Sequence, residues 1–219
     1  DVEEEDILKM IASGRKDIDD FEKMKKDGVL KIKLDEPVVS FKEQIEDPDN
    51  NPFPTLSGKI EIDCDHLAEM EHDRIPSIPR YLTHEEGYDS PLAKKYPLQL
   101  LTAHPKTRAH STWHNVPWLR ELETHAVWIN PDDARARKIQ NGDLVDVFND
   151  RGRIRLEANV TERIMPGVVS VNQGAWYDPD ENGIDRGGCA NVLTADAHSP
   201  GGAHHMNSAL VQVEPTVKK

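Results

Sequence analysis

Short apolar runs separated by turn signals follow one another from Tyr96 to Val213. Runs of about four to eight apolar or alternating residues, bounded by Gly, Pro, Asn or Asp, are typical of β-strands. The runs that predict strands are residues 98–102, 126–129, 144–148, 154–160, 168–171 and 210–213. Many short strands joined by tight turns predict a small β-barrel.

Capping and turn residues indicate how these strands are connected. Asn130 and Pro131, followed by two acidic residues, predict the start of a short helix. Asn caps the first N–H groups, Pro fits the first helical position, and the acids suit the positive end of the helix dipole. Residues 141–143 (Asn-Gly-Asp) end that helix, and residues 150–152 predict a hairpin turn between the third and fourth strands.

Residues 1–95 are more charged and richer in Pro than the rest of the chain. Apolar residues at positions 7, 8 and 11 and at 18, 21 and 24 predict two short amphipathic helices before the turn at Asp27 and Gly28. Residues 57–62 alternate and predict one short strand. A stretch this poor in apolar residues is expected to pack on the second half or on other parts of a longer protein.

These patterns together predict a mainly β protein with short helices. We assign residues 1–95 to the end of a preceding domain and a Pro-rich connecting segment, and residues 96–219 to the barrel domain. The chain begins without Met, so we expect it to be the middle and end of a longer polypeptide.

The charge of the chain argues against two classes of partner. Acidic residues outnumber basic ones by 40 to 27, which gives a formal net charge of −13. Such a surface repels nucleic-acid phosphates and anionic lipid headgroups, so we expect neither nucleic acid binding nor direct membrane contact. A local pocket of backbone N–H groups and a few cations can still bind one anionic cofactor.

Cysteine and histidine form no recognisable metal or nucleophile motif. Cys64 and Cys189 lie far apart, which excludes a self-contained iron–sulfur or zinc site built from cysteines. We expect two free thiols, with a disulfide between them as the open alternative. His110 and His114 are four residues apart, but Ser111 stands where a zinc protease has its general-base Glu. The sequence therefore assigns no catalytic residue and predicts no protein ligand to a metal.

Polar side chains and glycines are concentrated at the ends of predicted strands. Residues 104–111 follow the first strand, residues 174–177 follow the fifth, and residues 191–194 and 205–208 precede the last. If these loops converge at one end of the barrel, they form a long cleft with hydrogen-bond donors for phosphates and heterocycles. Ordinary surface loops have the same composition, so the pattern alone does not decide between the two.

Seven segments resemble, in order and spacing, the cofactor-binding domain of molybdopterin oxidoreductases of the dimethyl sulfoxide reductase type. They are HPKTRAHSTW at 104–113, WINPDDA at 128–134, FNDRGR at 148–153, VTERIMPG at 160–167, GAWYDP at 174–179, GGCANVLT at 187–194 and LVQVE at 210–214. Upstream, NPFPTLSGKIEI at 51–62 is similar to the segment that precedes that domain. The resemblance is particularly close to the catalytic subunits of membrane-associated dimethyl sulfoxide reductases.

The resemblance implies a six-stranded double-psi β-barrel, preceded by an irregular, partly helical extension. It implies a bis-molybdopterin guanine dinucleotide cofactor carrying molybdenum or tungsten, shared with domains outside this chain. Position in the family implies that the pterin and phosphate end is lined by His104, Arg108, His110 and Ser111, and that guanine is approached by Asn130 and Asp132. It also implies that Trp176 and Tyr177 pack against the cofactor, and that further hydrogen bonds come from Asn191, Asn207 and Ser208.

The function implied by the resemblance is that of the cofactor-binding part of an anaerobic molybdenum reductase that transfers an oxygen atom from an S-oxide or similar acceptor. Its implied partners are the remainder of the catalytic subunit, an iron–sulfur electron-transfer subunit and a membrane anchor. The implied location is the periplasmic or extracytoplasmic side, reached by twin-arginine export. The 219 residues are expected to be inactive by themselves. A self-standing cofactor-binding subunit or carrier, and a barrel used only for protein interaction, are the alternatives.

Overall fold

The computed structural model describes residues 3–16, 18–199 and 202–216. The chain forms two compact units, Asp1–Ile62 and Asp63–Lys219. Residues 63–95 therefore belong to the same compact unit as the barrel strands. The domain division at residue 96 was inferred from composition and stays a prediction.

Three short helices make up the regular structure described in the first unit: α1 (Glu4–Ser13), α2 (Phe21–Asp27) and α3 (Lys42–Glu46). Both amphipathic helices predicted from the sequence are confirmed. The Asp20 side chain caps α2 by accepting from Lys23 N at 2.9 Å, and Gly28 ends the helix with a φ of 70°.

The strand predicted at residues 57–62 is wrong. Gly58 has a φ of +68°, and the Thr55 hydroxyl donates to the Lys59 carbonyl at 2.6 Å, so the segment turns instead of extending. Ile60 and Ile62 are exposed. The alternating pattern is present, but among the described residues no strand pairs with it.

The second unit contains further short helices around the barrel. They are α4 (Asp65–Glu69), a 3-10 helix at Pro91–Lys94, α5 (Pro117–Arg120), α6 (Pro131–Ala136) and a 3-10 helix at Ala190–Val192. The predicted capping of α6 is confirmed, because Asn130 accepts from Asp132 N at 2.9 Å and Pro131 takes the first helical position. Of the helices in the described part of the chain, none is long and apolar enough to cross a membrane.

Six strands close into a barrel in the order β1-β5-β2-β4-β3-β6. Their bounds are β1 Leu98–Leu101, β2 Ala126–Ile129, β3 Leu144–Phe148, β4 Arg153–Val160, β5 Val168–Val171 and β6 Leu210–Pro215. The pairs β1/β5 and β2/β4 are parallel, and the other pairs are antiparallel. The prediction of a mainly β protein with a double-psi barrel is confirmed, with strand ends shifted by one or two residues.

Alternate side chains of these strands fill the barrel. The largest fully buried side chains are Leu98, Leu100, Val127, Ile129, Val145, Val147, Ile154, Val169, Val171, Leu193, Leu210 and Val211. Most are β-branched, and such side chains pack well on a pleated strand against the side chains of the two neighbouring strands. Their burial explains why the strands were readable as short apolar runs.

The strand directions decide which loops lie together. Because β1 and β5 are parallel and β2 runs antiparallel to β5, the ends of β1 and β5 lie beside the start of β2. We call this the site end; it comprises residues 102–125, 149–152, 172–199 and 202–209. The opposite end comprises residues 130–143 and 161–167.

Candidate functional site

A cleft of about 800 Å³ lies at the site end, beside the outer face of β4. The β1–β2 connection, the middle of β4, the first residue of β3 and the loop after β5 form its walls. Its lining residues are Thr107, Arg108, Trp113, His114, Asn115, Leu119, Arg120, Glu123, Thr124, His125, Leu144, Arg155, Leu156, Glu157, Trp176, Tyr177, Asp178, Arg186 and Gly187. A cleft of this size and lining can hold a small molecule or part of a larger cofactor.

Arg108 is the half-buried cation of this cleft. Its Nε and Nη2 donate to the Gln173 carbonyl at 3.3 and 3.1 Å. Its Nη1 lies 3.5 Å from Nδ1 of His114, and its Nη2 lies 3.3 Å from Nδ1 of His125. Among the described residues no carboxylate lies within ion-pair distance of this guanidinium, so its acceptors are all uncharged or histidine nitrogens.

The partners of His125 determine its tautomer. Nε2 lies 3.0 Å from the Gly188 carbonyl, which can only accept, so Nε2 carries the proton. Nδ1 faces the Arg108 guanidinium, which can only donate, so Nδ1 is the acceptor. His125 is therefore a neutral imidazole that connects Arg108 to the loop after β5.

Burial and neighbouring charge favour the uncharged form of these histidines. Burial lowers the pKa of His125; the hydrogen bond to the Gly188 carbonyl opposes this, and Arg108 adds to it. Burial and then Arg108 likewise lower the pKa of His114. The pKa of Arg108 is also lowered by burial, but a guanidinium stays charged at physiological pH.

The cleft is less acidic than the chain. Four arginines and three acidic residues line it, whereas the chain as a whole has a net charge of −13. Arg155 is paired with Asp146, and Arg186 with Asp180, outside the lining. Arg120 is exposed, and within the described part of the chain its guanidinium has neither a hydrogen bond nor an ion pair. Arg108 and Arg120 are thus available to an anion.

Glu123 is the acidic residue whose charge acts on Arg108. One oxygen accepts from Thr107 Oγ1 at 3.0 Å, and the other accepts from the Asn172 side chain. These contacts keep the carboxylate out of hydrogen-bond distance of Arg108, yet its charge still favours the charged guanidinium.

Two loops approach each other so closely that only glycine fits between them. A Cβ on Gly174 would lie 1.7 Å from the His110 carbonyl oxygen, and the φ of Gly174 is +82°. Trp176 Nε1 donates to the Ser111 carbonyl at 3.0 Å. His110 and Trp113 themselves have φ values of 53° and 70°, a conformation that non-glycine residues adopt at a cost. These contacts hold the loops after β1 and β5 together over the cleft.

Asp185 organises the loop after β5 from inside. It is fully buried and accepts from the backbone N–H groups of Asp178 at 2.7 Å, Gly187 at 3.0 Å and Cys189 at 2.6 Å. A buried carboxylate needs this number of donors to offset its lost hydration. The resulting turn sets the backbone that carries Trp176 and Tyr177.

Gln173, two residues after the end of β5, has a side-chain donor without a partner among the described residues. Its side chain is 3% exposed, and its Nε2 has no hydrogen-bond partner in the described protein. Unpartnered buried amides are rare because they lose the hydrogen bonds that water would supply. The backbone carbonyl of Gln173 is the one that accepts from Arg108, so this unpartnered donor belongs to the same residue that holds the arginine.

The structure brings most of the predicted site residues to the site end. Arg108, Trp176 and Tyr177 line the cleft. His104 and His110 lie in the same loop as Arg108, with ring centroids 5.1 Å apart. The others at this end are Ser111, whose carbonyl holds Trp176; Asn207, whose side chain accepts from Thr102 N at 2.7 Å; Ser208; and Asn191, exposed on the 3-10 helix Ala190–Val192.

Asn130 and Asp132 are not brought to the cleft. Both lie at the opposite end of the barrel, where Asn130 Nδ2 donates to the Ile164 carbonyl at 2.7 Å. Asp132 is exposed and pairs with Arg135 at 2.8 Å. The predicted contact of these two residues with guanine stays a prediction.

The sequence reasoning missed His125, Gln173, Asp185 and Arg120. His125 is a single histidine directly before the run 126–129, outside the loops in which polar side chains and glycines are concentrated. Because β2 is antiparallel to β5, its start shares the site end, and that topology could not be read from the apolar runs. Asp185 is one of 40 acidic residues and carries no local motif.

Cysteine and acidic side chains form no metal centre in the part of the chain that the structure describes: no group of three or more His, Cys, Asp or Glu side chains could hold a metal ion there. Cys64 and Cys189 are both free, as expected.

Comparisons with known proteins agree with this geometry. Residues 98–207 match the family model described as the molydopterin dinucleotide binding domain. The chain is 47% identical over 205 residues to dimethyl sulfoxide reductase DmsA of Escherichia coli (strain K12), covering 89% of this chain and 25% of that protein. It is 39% identical over 196 residues to trimethylamine-N-oxide reductase 1 of the same strain, covering 84% and 23%.

A solved structure supports the fold. Acetylene hydratase from Pelobacter acetylenicus superposes with a TM-score of 0.64 at 20% sequence identity, over 78% of this chain and 25% of that chain. The chain spans about a quarter of the length of the curated relatives that it matches.

Proposed function

Since the chain belongs to the molydopterin dinucleotide binding domain family, we propose that it holds part of a bis-molybdopterin guanine dinucleotide in a reductase of S-oxides or N-oxides. Relatives that are 47% and 39% identical are dimethyl sulfoxide and trimethylamine-N-oxide reductases, which supports this class of acceptor. When bound, the molybdenum or tungsten of the cofactor supplies the transfer of an oxygen atom and two electrons. The residues of this chain bind and orient the cofactor.

The observation that carries this proposal is Arg108. A half-buried guanidinium without a carboxylate partner is costly unless an anion completes it. The dinucleotide's pyrophosphate is such an anion, and the N–H of Arg108 Nη1 that has no partner in the described protein can donate a charge-assisted hydrogen bond to one of its oxygens. Arg108 and the exposed Arg120 provide this charge in a chain that is otherwise strongly acidic.

The remaining walls of the cleft fit the other parts of the same cofactor. Trp176 and Tyr177 are exposed, with half of the Trp176 surface accessible, and offer aromatic faces to a heterocycle. The orphaned Nε2 of Gln173 supplies a buried donor in the same cluster.

Assignments for the other predicted residues follow from where they lie. We assign His104, His110 and Ser111 to the pterin and phosphate end, because they belong to the loop of Arg108. Asn191, Asn207 and Ser208 lie at the site end and would add hydrogen bonds. Asn130 and Asp132 lie at the opposite end, so their assignment to guanine rests on family position alone.

The partners and location are proposed on the same premise. The resemblance to membrane-associated reductases supports assembly with the remainder of a catalytic subunit, an iron–sulfur electron-transfer subunit and a membrane anchor. It also supports an extracytoplasmic location reached by twin-arginine export. Co-purification of an iron–sulfur subunit from the periplasmic face would support this, and recovery of the assembled protein only from the cytoplasm would contradict the location.

Arg108→Ala tests the function in the cofactor-loaded protein. We expect cofactor affinity to fall by roughly ten- to a hundredfold, because losing charge-assisted hydrogen bonds of this kind costs about 1.5–3 kcal/mol. The measurement is the guanine nucleotide retained after dialysis. Arg80→Ala is the matched control, since Arg80 is an exposed arginine that neither lines the cleft nor lies at the end of the barrel with Asn130 and Asp132.

Equal retention in both variants would remove Arg108 from the cofactor site. Unchanged retention together with a large fall in the melting midpoint of the cofactor-free protein would instead identify Arg108 as a structural arginine.

A further inference from the structure

His125 is placed between the arginine of the cleft and the loop after β5. It precedes β2 directly and is half-buried. Its Nδ1 lies 3.3 Å from Arg108 Nη2, and its Nε2 lies 3.0 Å from the Gly188 carbonyl. The ring therefore has a defined orientation, fixed at both nitrogens.

The contacts of Arg108 leave a specific part of its guanidinium for a ligand. Nε and Nη2 are used by the Gln173 carbonyl and by His125, and one N–H of Nη1 points to His114. A guanidinium has two N–H groups on each terminal nitrogen, so one N–H of Nη1 remains free. Removing the acceptor at His125 would release Nη2 and let the fork rotate about the Gln173 carbonyl.

We propose that His125 is a positioning residue: its neutral Nδ1 holds the Arg108 fork so that the free Nη1 edge meets a phosphate oxygen of the bound dinucleotide. This inference rests on the proposed function, because the anion is the cofactor's phosphate. Pre-orienting a long, flexible cation lowers the entropy lost when the anion binds. The contact with Gly188 serves to hold the ring, not the anion.

The competing explanation is that His125 matters only through the Gly188 contact. Gly188 has a φ of +73°, and a Cβ there would lie 2.7 Å from His125 Nε2, so ring and loop are tightly packed. Two isosteric substitutions separate these roles. Asn places its amide oxygen where Nδ1 stands and keeps an acceptor for Arg108, whereas Gln places its amide nitrogen near the position of Nε2 and keeps the donor for Gly188.

The experiment compares wild type, His125→Asn, His125→Gln and His125→Leu in the whole chain, with two measurements. The first is affinity for inorganic pyrophosphate by titration calorimetry. The second is the nuclear magnetic resonance signal of the Arg108 Nε–H without ligand, which is sharp when the guanidinium is fixed. Melting midpoints show that each variant is folded.

We expect His125→Asn to retain both the pyrophosphate affinity and the sharp Arg108 signal. His125→Gln and His125→Leu are expected to bind about five- to tenfold more weakly, with a broadened Arg108 signal. The reverse order, with Gln retaining both properties and Asn losing them, would overturn the positioning role.

Failure of the proposed function gives a different result. If wild type does not bind pyrophosphate while the Arg108 signal still follows the expected order, then His125 positions Arg108 but the cleft is not the phosphate site. If pyrophosphate binds and Arg108→Ala abolishes binding, while all the His125 variants match wild type in both measurements, the phosphate site stands and the role of His125 is overturned.

Discussion

Gly174 is the residue where the backbone of the cleft has the least room. Its positive φ alone disfavours any other residue, and a Cβ would overlap the His110 carbonyl. Gly183 has a similar φ of +76° but nothing within 4 Å of its Cβ position. The two glycines therefore separate the cost of the backbone conformation from the cost of close approach.

We predict that Gly174→Ala destabilises the protein clearly more than Gly183→Ala. The control should lose about 1–2 kcal/mol, the cost of a left-handed residue with a side chain, and Gly174→Ala should exceed it because the two loops must separate. Urea unfolding of both variants is the measurement. Equal losses would mean that the loops part without cost and that their contact does not shape the cleft.

His125 makes the stability of the unliganded protein sensitive to mild acid. Its pKa is lowered by burial, with Arg108 adding to the effect, whereas an unfolded histidine titrates near about 6.5. Below that pH the unfolded chain binds a proton that the folded protein does not. The contribution of His125 is thus fully present above about pH 6.5 and is lost as the pH falls towards its folded pKa.

The prediction is a smaller loss of stability between pH 8 and pH 5.5 in His125→Asn than in wild type, because Asn does not titrate. The urea midpoint at each pH is the measurement, and His66→Asn is the control, since His66 is exposed on α4. A pH dependence unchanged in His125→Asn would show that the buried imidazole is not the group responsible.

At the scale of elements, β3 and β4 are joined by an ion pair as well as by their antiparallel backbone hydrogen bonds. Asp146 and Arg155 stand opposite each other in the register, and the carboxylate accepts from Arg155 Nε at 2.6 Å and from Arg153 Nη1 at 2.9 Å. Burial would raise the pKa of Asp146, but the hydrogen bonds from Arg155 and Arg153 outweigh it and the pKa is lowered.

Asp146→Asn should lower the free energy of unfolding by about 2–3 kcal/mol near neutral pH. The reason is that a neutral amide replaces a buried carboxylate that accepts hydrogen bonds from two arginines. Since the folded pKa lies below the unfolded value of about 3.9, this stabilisation is present above that pH and lost as the pH falls through the folded pKa. The difference between Asp146→Asn and wild type should therefore shrink in acid. Asp132→Asn, in an exposed pair, is the control and should change stability little.

The elements differ in how far the sequence could predict them. Strand β2 was predicted at its observed bounds because its side chains face a closed core and form an uninterrupted apolar run. Residues 57–62 alternate between polar and apolar residues, which also predicts a strand, but they form none. A strand also requires a neighbouring strand that supplies matching hydrogen bonds. The helix start at Asn130 was predictable because capping is local.

The site was only partly predictable, for a related reason. Arg108, Trp176 and Tyr177 follow strands within the chain, so local reasoning reached them. His125 joins them through the antiparallel pairing of β2 and β5, which is a property of the barrel order and not of any segment. Asn130 and Asp132 also follow a strand, but that strand is β2, which runs antiparallel to β5. They therefore lie at the opposite end of the barrel.

At the scale of the whole molecule, the two compact units differ in how much apolar surface they bury. The barrel unit contains all of the large, fully buried side chains of the described protein. In the first unit, Val38, Leu56, Ile60 and Ile62 are exposed. Local opening requires little free energy where few apolar groups are buried.

Hydrogen exchange should reflect this difference. We predict slow exchange in the barrel strands and fast exchange through most of the first unit, because its backbone hydrogen bonds lie close to solvent. Exchange followed by mass spectrometry on the whole chain is the measurement. Protection throughout residues 18–50 equal to that of β2 and β4 would contradict the prediction.

The pairing of β6 with both β1 and β3 has a consequence for synthesis. The first strand of the barrel finds one of its two neighbours only in residues 210–215, more than a hundred residues later. On a ribosome that makes protein from the amino end, β1 must therefore wait with one edge unpaired until translation has passed Pro215. The barrel, and with it the arrangement of loops at the site end, can be completed only after that point.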